Sequence, residues 1–190
     1  MSRAIPAVLL VPALALAAPR AKEREAAAYF PTREGDKREY EVRAGDKVEG
    51  GYTDVVTKVE KRDGAPRVTI TRDYPGSAPY VTTIAVAADG LSRVAVGDKP
   101  LDKPAVLLRL PAKVGTEWEY EGGGARYKVV EADAEVEVPA GKYKAVRVEL
   151  GADGAAARTT LWFAPSVGLV KMVGADGDRV TVLKSFTPSK

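Results

Sequence analysis

Residues 159–186 read TTLWFAPSVGLVKMVGADGDRVTVLKSF, and this stretch decides the class of the fold. It contains three runs rich in Val, Thr, Leu and aromatic residues, separated by a segment with Pro165 and Gly168 and by the Asp176-Gly177 pair. β-Branched and aromatic residues favour strands, and an Asp-Gly pair adopts positive φ in a tight turn with little strain. The stretch therefore predicts consecutive antiparallel strands joined by hairpin turns.

The same pattern extends back along the chain to Arg38, without a helical period of comparable length. The clearest of the other runs are residues 52–60, 67–74, 80–87, 127–131, 135–138 and 143–150. We therefore predict an all-β protein, an antiparallel meander of about 11 to 13 strands that forms one long curved sheet or partial barrel. Two packed sandwiches are the alternative architecture.

Parts of the sequence recur in the same order about 80 residues later. Thr82-Thr83-Ile84 returns as Thr159-Thr160-Leu161. A second set, Pro31, Gly35, Tyr40 and Glu41, returns as Pro111, Gly115, Tyr120 and Glu121. This order predicts two diverged copies, residues 29–100 and 106–186, which share one sheet because each supplies too few strands to close one alone. Coincidence among residues common in strands is the alternative.

The N-terminus predicts an exported protein. Arg3 is followed by an apolar run and by Ala15-Leu16-Ala17, which together match a signal peptide over residues 1–17, preceding a leader over 18–28 and one β domain over 29–190. The apolar run is shorter than the ~20 helical residues that cross a bilayer. With no cysteine to carry a lipid, we expect a soluble protein in the periplasm or outside the cell. A buried N-terminal helix of a cytoplasmic protein is the alternative.

Composition excludes several classes of function. The chain has no His, Cys, Asn or Gln, which rules out Ser-His-Asp triads, Cys-His dyads and zinc sites built from imidazole or thiolate. With 29 basic and 26 acidic residues, the net charge of +3 provides no strong basic field for nucleic acid. We accordingly predict no enzymatic activity, no cofactor, no metal site and no nucleic-acid partner.

Three aromatic residues are the candidates for ligand binding. Strand alternation between Glu117 and Glu121 places the carboxylates on one face, and Trp118 and Tyr120 on the other face, towards the interior. In Leu161-Trp162-Phe163, Leu161 and Phe163 share one face of the strand and Trp162 points to the other. Large apolar groups therefore occupy both faces of this strand. Such a strand is either covered on both faces or lines a concavity for an apolar ligand. Simple core packing is the alternative for Trp162.

These observations predict a non-catalytic protein that binds an apolar small molecule or an envelope protein on its curved sheet. One alternative is a structural assembly domain. Another is a glycan hydrolase that uses a pair of Glu or Asp carboxylates and needs no histidine.

Three segments carry a resemblance to a known family: 29–41, with Tyr29-Phe30-Pro31 at its start, 138–143, which reads VPAGKY, and 162–171, which reads WFAPSVGLVK. They resemble a bacterial family of poorly characterised exported β domains, the TapB-type group and related domains of unknown function. The resemblance implies an envelope-associated β domain and brings no catalytic residues. Members often carry Trp at the position of Arg38, and many carry a lipobox cysteine, which this chain lacks.

Overall fold

The computed structural model describes residues 29–62 and 64–190, and in these residues the chain forms β-strands and no helix. The predicted signal peptide and leader lie outside the described residues. Within the described part, no helix is long and apolar enough to cross a membrane. The strands are β1 Lys37–Ala44, β2 Lys47–Arg62, β3 Ala65–Asp73, β4 Tyr80–Ala87, β5 Gly90–Val96, β6 Lys99–Arg109, β7 Glu117–Glu119, β8 Arg126–Val138, β9 Gly141–Gly151, β10 Thr159–Ala164, β11 Gly168–Val173 and β12 Arg179–Thr187.

All of the strands belong to one sheet. Strands β1 to β6 follow one another as a meander, β7 to β12 form a second meander, and the two are joined by antiparallel pairing of β1 with β12. The spatial order therefore begins at β6 and ends at β7, although these two strands are consecutive in the chain. The result is a nearly closed, barrel-shaped sheet. It confirms the predicted antiparallel meander in one curved sheet, and it rules out the two packed sandwiches.

The strand boundaries show where local sequence determines the structure. β4 and β10 have the predicted bounds. Residues 127–131 and 135–138, predicted as two strands, form the single strand β8, whose pairing with β9 shifts register on both sides of Glu131. β6 is absent from the clearest predicted runs because Pro100 and Pro104 interrupt it. Proline is tolerated there because β6 lies at an edge of the sheet.

The two halves of the sheet begin with the same turn. The N–H of Gly35 donates to the carbonyl of Val56 at 2.8 Å, and the N–H of Gly115 donates to the carbonyl of Val129 at 2.8 Å. The φ angles of the two glycines are 89° and 87°, in the left-handed region where a Cβ is unfavourable. The echoed residues thus occupy matching turns, and the duplication itself stays a prediction.

Two clusters of buried apolar side chains fill the sheet. Burial of each such side chain stabilises the fold by about 1.5–3 kcal/mol. The large cluster consists of Phe30, Val56, Val68, Ile70, Ile84, Val86, Leu91, Leu108, Leu110, Trp118, Tyr127, Val129, Val146, Val148 and Phe163. The small cluster consists of Tyr40, Tyr52, Val136, Val138, Ala145, Ala164, Val167, Val170, Val182 and Leu183.

A buried ion pair lies where the two clusters meet, beside the β1–β12 pairing, which we call the closed junction. Arg38 and Asp54 are each only 3% exposed, and Arg38 Nη2 lies 3.3 Å from Asp54 Oδ2. Arg38 also donates to the carbonyl of Val167 at 3.2 Å. Arg72 donates to both carboxylate oxygens of Asp54, at 2.7 and 2.9 Å. Every charge of the group thus has a partner, as burial requires.

Aromatic rings continue this group into the small cluster. Tyr52 stacks on Tyr40 with ring centroids 4.7 Å apart, and the guanidinium of Arg72 lies 4.0 Å from the Tyr52 ring centroid. The hydroxyl of Tyr40 donates to the carbonyl of Leu169 at 2.7 Å, which ties β1 to β11. Burial raises the pKa of Tyr40 and of Tyr52, because it disfavours the phenolate. The closed junction is therefore held by backbone pairing, buried charge and stacked rings together.

Candidate functional site

The gap between β6 and β7, which we call the seam, is the place where the sheet does not close. β6 pairs only with β5, and β7 pairs only with β8. Among the described residues, no backbone hydrogen bond joins the two strands across the seam. An unpaired strand edge presents free N–H and C=O groups that can pair with another chain. The seam is therefore our candidate functional site.

β7 is short because the chain turns away from the seam after Glu119. The N–H of Tyr120 donates to the carbonyl of Ala125 at 3.0 Å and closes a loop that contains Gly123 and Gly124, both with positive φ. The strand predicted to run to Glu121 therefore ends two residues earlier. This leaves most of the outer edge of β6 with no strand beside it.

Trp118 makes a hydrogen bond across the seam, beside the contact between Arg93 of β5 and Glu121. The Trp118 side chain is buried, and its indole Nε1–H donates to the carbonyl of Val106 on β6 at 3.0 Å. The Val106 carbonyl therefore points towards β7. In an extended strand, the N–H and C=O of one residue point to the same side. Val106 pairs with Ser92 beside a register shift at Leu107, and we infer from its carbonyl that its N–H also points into the seam. One residue of β6 thus presents both a donor and an acceptor there.

Aromatic packing fixes the position of the Trp118 indole. Its ring lies parallel to that of Tyr127, with centroids 5.2 Å apart and an angle of 18° between the planes. Tyr120 meets Tyr127 edge-on, at 6.0 Å. Burial raises the pKa of Tyr127 to about 12, because a phenolate in this cluster would lose its hydration. The three rings form a rigid wall on the β7 side of the seam.

The carboxylates beside these rings are largely neutralised. Glu117 lies 3.1 Å from Lys128 and 3.6 Å from Arg126, and its hydrogen bond to Lys128 lowers the pKa of the Glu117 carboxyl. Glu121 is in close contact with Arg93. With cations on two of the three carboxylates, the row does not form the facing acid and base pair that a glycan hydrolase needs.

A cleft of about 290 Å³ opens at the seam. Two of the three predicted ligand-binding residues, Trp118 and Tyr120, line this cleft. The third, Trp162, lies elsewhere: it is on β10, packs against the small cluster and carries the Lys171 ammonium 5.2 Å from its ring centroid. The complete lining is Lys103, Pro104, Val106, Arg109, Glu117, Trp118, Glu119, Tyr120, Glu121 and Arg126. A ligand-binding role for the three aromatic residues stays a prediction.

The sequence did not predict that β6 is part of the site, because β6 contributes backbone N–H and C=O groups, which are the same for almost every residue type. A signal was nevertheless present. The first part of β6 carries Lys99, Pro100, Lys103 and Pro104, and lysine and proline are the residues that natural proteins place on exposed sheet edges. The segment 105–108 that follows has neither. Among residues 29–62 and 64–190, no group of three or more acidic side chains could hold a metal ion.

Comparisons with known proteins identify the fold. No family model and no curated protein matches the sequence. The fold matches that of a Bacteroides fragilis protein with a YmcC-like fold, named as a candidate exported protein, with a TM-score of 0.59 and 14% identity over 84% of this chain and 99% of that chain. A Parabacteroides distasonis protein, named as a candidate lipoprotein, matches with a TM-score of 0.53 and 13% identity over 84% of this chain and 98% of that chain.

A third structure, the Pseudomonas aeruginosa MucA/MucB complex, is less similar. It matches with a TM-score of 0.37 and 10% identity, over 87% of this chain and 54% of that chain. This likeness is too low to define a shared fold. The first two structures show that the barrel-shaped sheet described above also occurs in chains of very different sequence.

Proposed function

We propose that this chain is an exported, non-catalytic protein that binds an extended segment of a partner protein at the seam. The observation that carries the proposal is the outer edge of β6 at residues 105–108, which no strand of the described residues pairs with and where the carbonyl of Val106 points towards β7. Extended peptides commonly bind proteins by adding a strand to such an edge.

Export is supported by two independent features. The first is the N-terminal pattern of Arg3, an apolar run and Ala15-Leu16-Ala17. The second is the fold, which is shared with proteins named as exported or lipoprotein candidates. The resemblance to the TapB-type group agrees with both. We place the mature protein in the periplasm or outside the cell, and we propose that it arose by tandem duplication of residues 29–100 and 106–186.

The rest of β6 directs a partner to the segment 105–108. Pro104 has no N–H to donate, and Lys99 and Pro100 disfavour strand pairing at the beginning of β6. Val106 and Leu107 are partly buried and pack against the large cluster, so a strand laid beside them also gains apolar contact. The edge is therefore blocked at one end and open at the other.

A partner chain fits the site better than an apolar small molecule. The centre of the large cluster is closely packed: Leu91, Leu108 and Val129 are at most 1% exposed. A carrier of an apolar ligand needs an apolar cavity. The seam cleft instead combines backbone groups, charged side chains and the edges of aromatic rings. This mixture suits recognition of a peptide.

Replacement of Val106 by proline tests the proposal. The change removes the Val106 N–H, which we infer points into the seam and away from β5. We expect the full chain to bind a fluorescein-labelled peptide of alternating valine and threonine with serine ends, and Val106→Pro to weaken binding roughly tenfold. The matched control, Val106→Thr, keeps the N–H and should bind as the wild type does. Fluorescence anisotropy measures the affinity.

Circular dichroism and thermal melting establish that both variants are folded. If Val106→Pro does not fold, a peptide N-methylated at its centre probes the same hydrogen bonds from the ligand side, and it should bind more weakly than the unmodified peptide. Equal binding by wild type and by a folded Val106→Pro would contradict strand addition at this edge.

A further inference from the structure

The charges around the free edge of β6 define the partner more closely. Resting on the proposed function, we infer that the bound segment belongs to another protein and carries acidic residues on both sides of an apolar centre. The free segment 105–108 is flanked by Lys103 and Arg109. Both side chains are exposed, both line the seam cleft, and neither forms an ion pair among the described residues.

The opposite side of the seam does not supply the missing counter-charges. Glu117 pairs with Lys128 of β8, and Glu121 contacts Arg93 of β5. Only Glu119 adds a carboxylate without an ion pair in the described part of the chain. Two cations therefore face one acid, and both cations lie on the strand that would pair with the ligand. A strand beside β6 would run about 4.8 Å from it, close to both cations.

The same two cations disfavour pairing with a second copy of this chain. In an antiparallel β6–β6 contact centred on Val106, Lys103 of each copy would stand opposite Arg109 of the other, since the two lie three positions before and after Val106. Like charges directly opposite each other destabilise a strand pair, and exposed lysine is a common device against edge-to-edge association. This disfavours a symmetric β6–β6 dimer in that register, and we therefore assign the bound segment to another protein.

The positions of Lys103 and Arg109 also define the chemistry of the ligand. Acidic residues at the two positions opposite Lys103 and Arg109 turn two repulsions into two attractive cross-strand pairs. The positions are six residues apart, which corresponds to roughly 20 Å of extended chain. Between them, alternate apolar side chains pack beside Val106. The expected motif is thus an extended apolar stretch with an acid at each end.

Two peptides test this inference on the full chain. Both have about nine residues with a centre of alternating valine and threonine, and they carry either two glutamates or two lysines six positions apart. We expect the acidic peptide to bind roughly tenfold more tightly at low salt, and the difference to shrink as salt is added. The double variant Lys103→Glu/Arg109→Glu should reverse the preference. Lys47→Glu/Lys61→Glu has the same change in net charge, lies on β2, and should keep the wild-type preference.

The outcomes separate this inference from the proposed function. If both peptides bind equally and Val106→Pro weakens both, strand addition stands and the charge rule is overturned. If neither peptide binds, both proposals are overturned. Sedimentation equilibrium adds an independent measurement: a dimer of the wild type that Val106→Pro dissociates would show that a second copy occupies the edge. A monomer that binds the acidic peptide is the expected result.

Discussion

Two junctions join the N-terminal half of the sheet, β1–β6, to the C-terminal half, β7–β12, and different forces hold them. At the closed junction, β1 pairs with β12 over its whole length, Lys37–Ala44, beside the buried charges of Arg38 and Asp54. At the seam, no backbone pairing between described residues joins the halves: the indole N–H of Trp118 reaches the carbonyl of Val106, and the partly buried Arg93 of β5 contacts Glu121. The first junction holds the sheet in shape, and the second leaves an edge for another chain.

The contrast between the two junctions indicates that the opening is confined to the edges of β6 and β7. A sheet that failed to close for lack of stability would fray on both sides of the gap. Here β5 and β8, the neighbours of the two edge strands, are paired on both edges, and Trp118 and Tyr127 are buried. Because β1 pairs with β12 over its whole length, the unpaired edges are confined to β6 and β7. Three predictions test this contrast, beginning with the largest effect.

The closed junction should be very sensitive to loss of its carboxylate. Asp54→Ala leaves Arg38, which is 3% exposed, without its counter-charge. Removal of one partner from a buried ion pair typically destabilises a protein by about 3–5 kcal/mol. Urea denaturation should show a loss of this size. The control is Glu60→Ala, which breaks the exposed ion pair with Lys58 and should change stability by less than about 1 kcal/mol. Similar losses for the two variants would show that the buried pair does not hold the junction.

The second prediction concerns alkaline pH. Burial raises the pKa of Tyr127 to about 12, whereas an unfolded tyrosine has a pKa of about 10. The folded state holds this proton more tightly, so the resulting stability is complete below pH 10 and is lost as the pH rises towards 12. The largest possible loss is about 2.7 kcal/mol. Tyr127→Phe removes the part of this pH dependence that comes from the seam. The part that comes from Tyr40 and Tyr52 at the closed junction remains.

Urea denaturation at several pH values between 9 and 12 measures this effect, as the slope of unfolding free energy against pH. The slope should be shallower for Tyr127→Phe than for the wild type. An unchanged slope would mean that the phenol of Tyr127 is hydrated in the folded protein and that the wall of the seam is open to water.

How much of this contrast could be read from the sequence depends on how local each feature is. β4 and β10 were predicted with correct bounds because alternating Val, Thr and Ile residues mark strands locally. The pairing of Arg38 with Asp54 carries no local signal, because it depends on β1 and β2 forming a hairpin in one particular register. The pairing of β1 with β12 joins the two ends of the domain and is further still from local pattern.

The candidate site was half predictable. The placement of Trp118 towards the interior followed from strand alternation and agrees with its burial. The role of Val106 could not be predicted in this way, because it depends on the fact that, in the described part of the chain, no strand pairs with the outer edge of β6. A free edge is a property of the assembled sheet, and a sequence can indicate it only through devices such as Pro100 and Pro104.

The smallest expected effect concerns Trp118 itself and decides its role. Trp118→Phe removes the indole N–H and part of the ring, so the seam loses its link to Val106. We expect a loss of about 1–2 kcal/mol in stability, because one hydrogen bond and some packing disappear. The control is Tyr120→Phe, which keeps the ring and the seam link.

Peptide binding separates the two roles that Trp118 could have. If the indole closes the free edge, an incoming strand must displace it from the Val106 carbonyl, and Trp118→Phe should then bind the peptide a few-fold more tightly, which corresponds to about 1 kcal/mol. If Trp118 contacts the ligand directly, as the sequence predicts, the same variant should bind more weakly. Anisotropy titrations with the acidic peptide distinguish the two results. Tighter binding, with the stability loss above, would show that the Trp118 indole competes with the partner for the Val106 carbonyl.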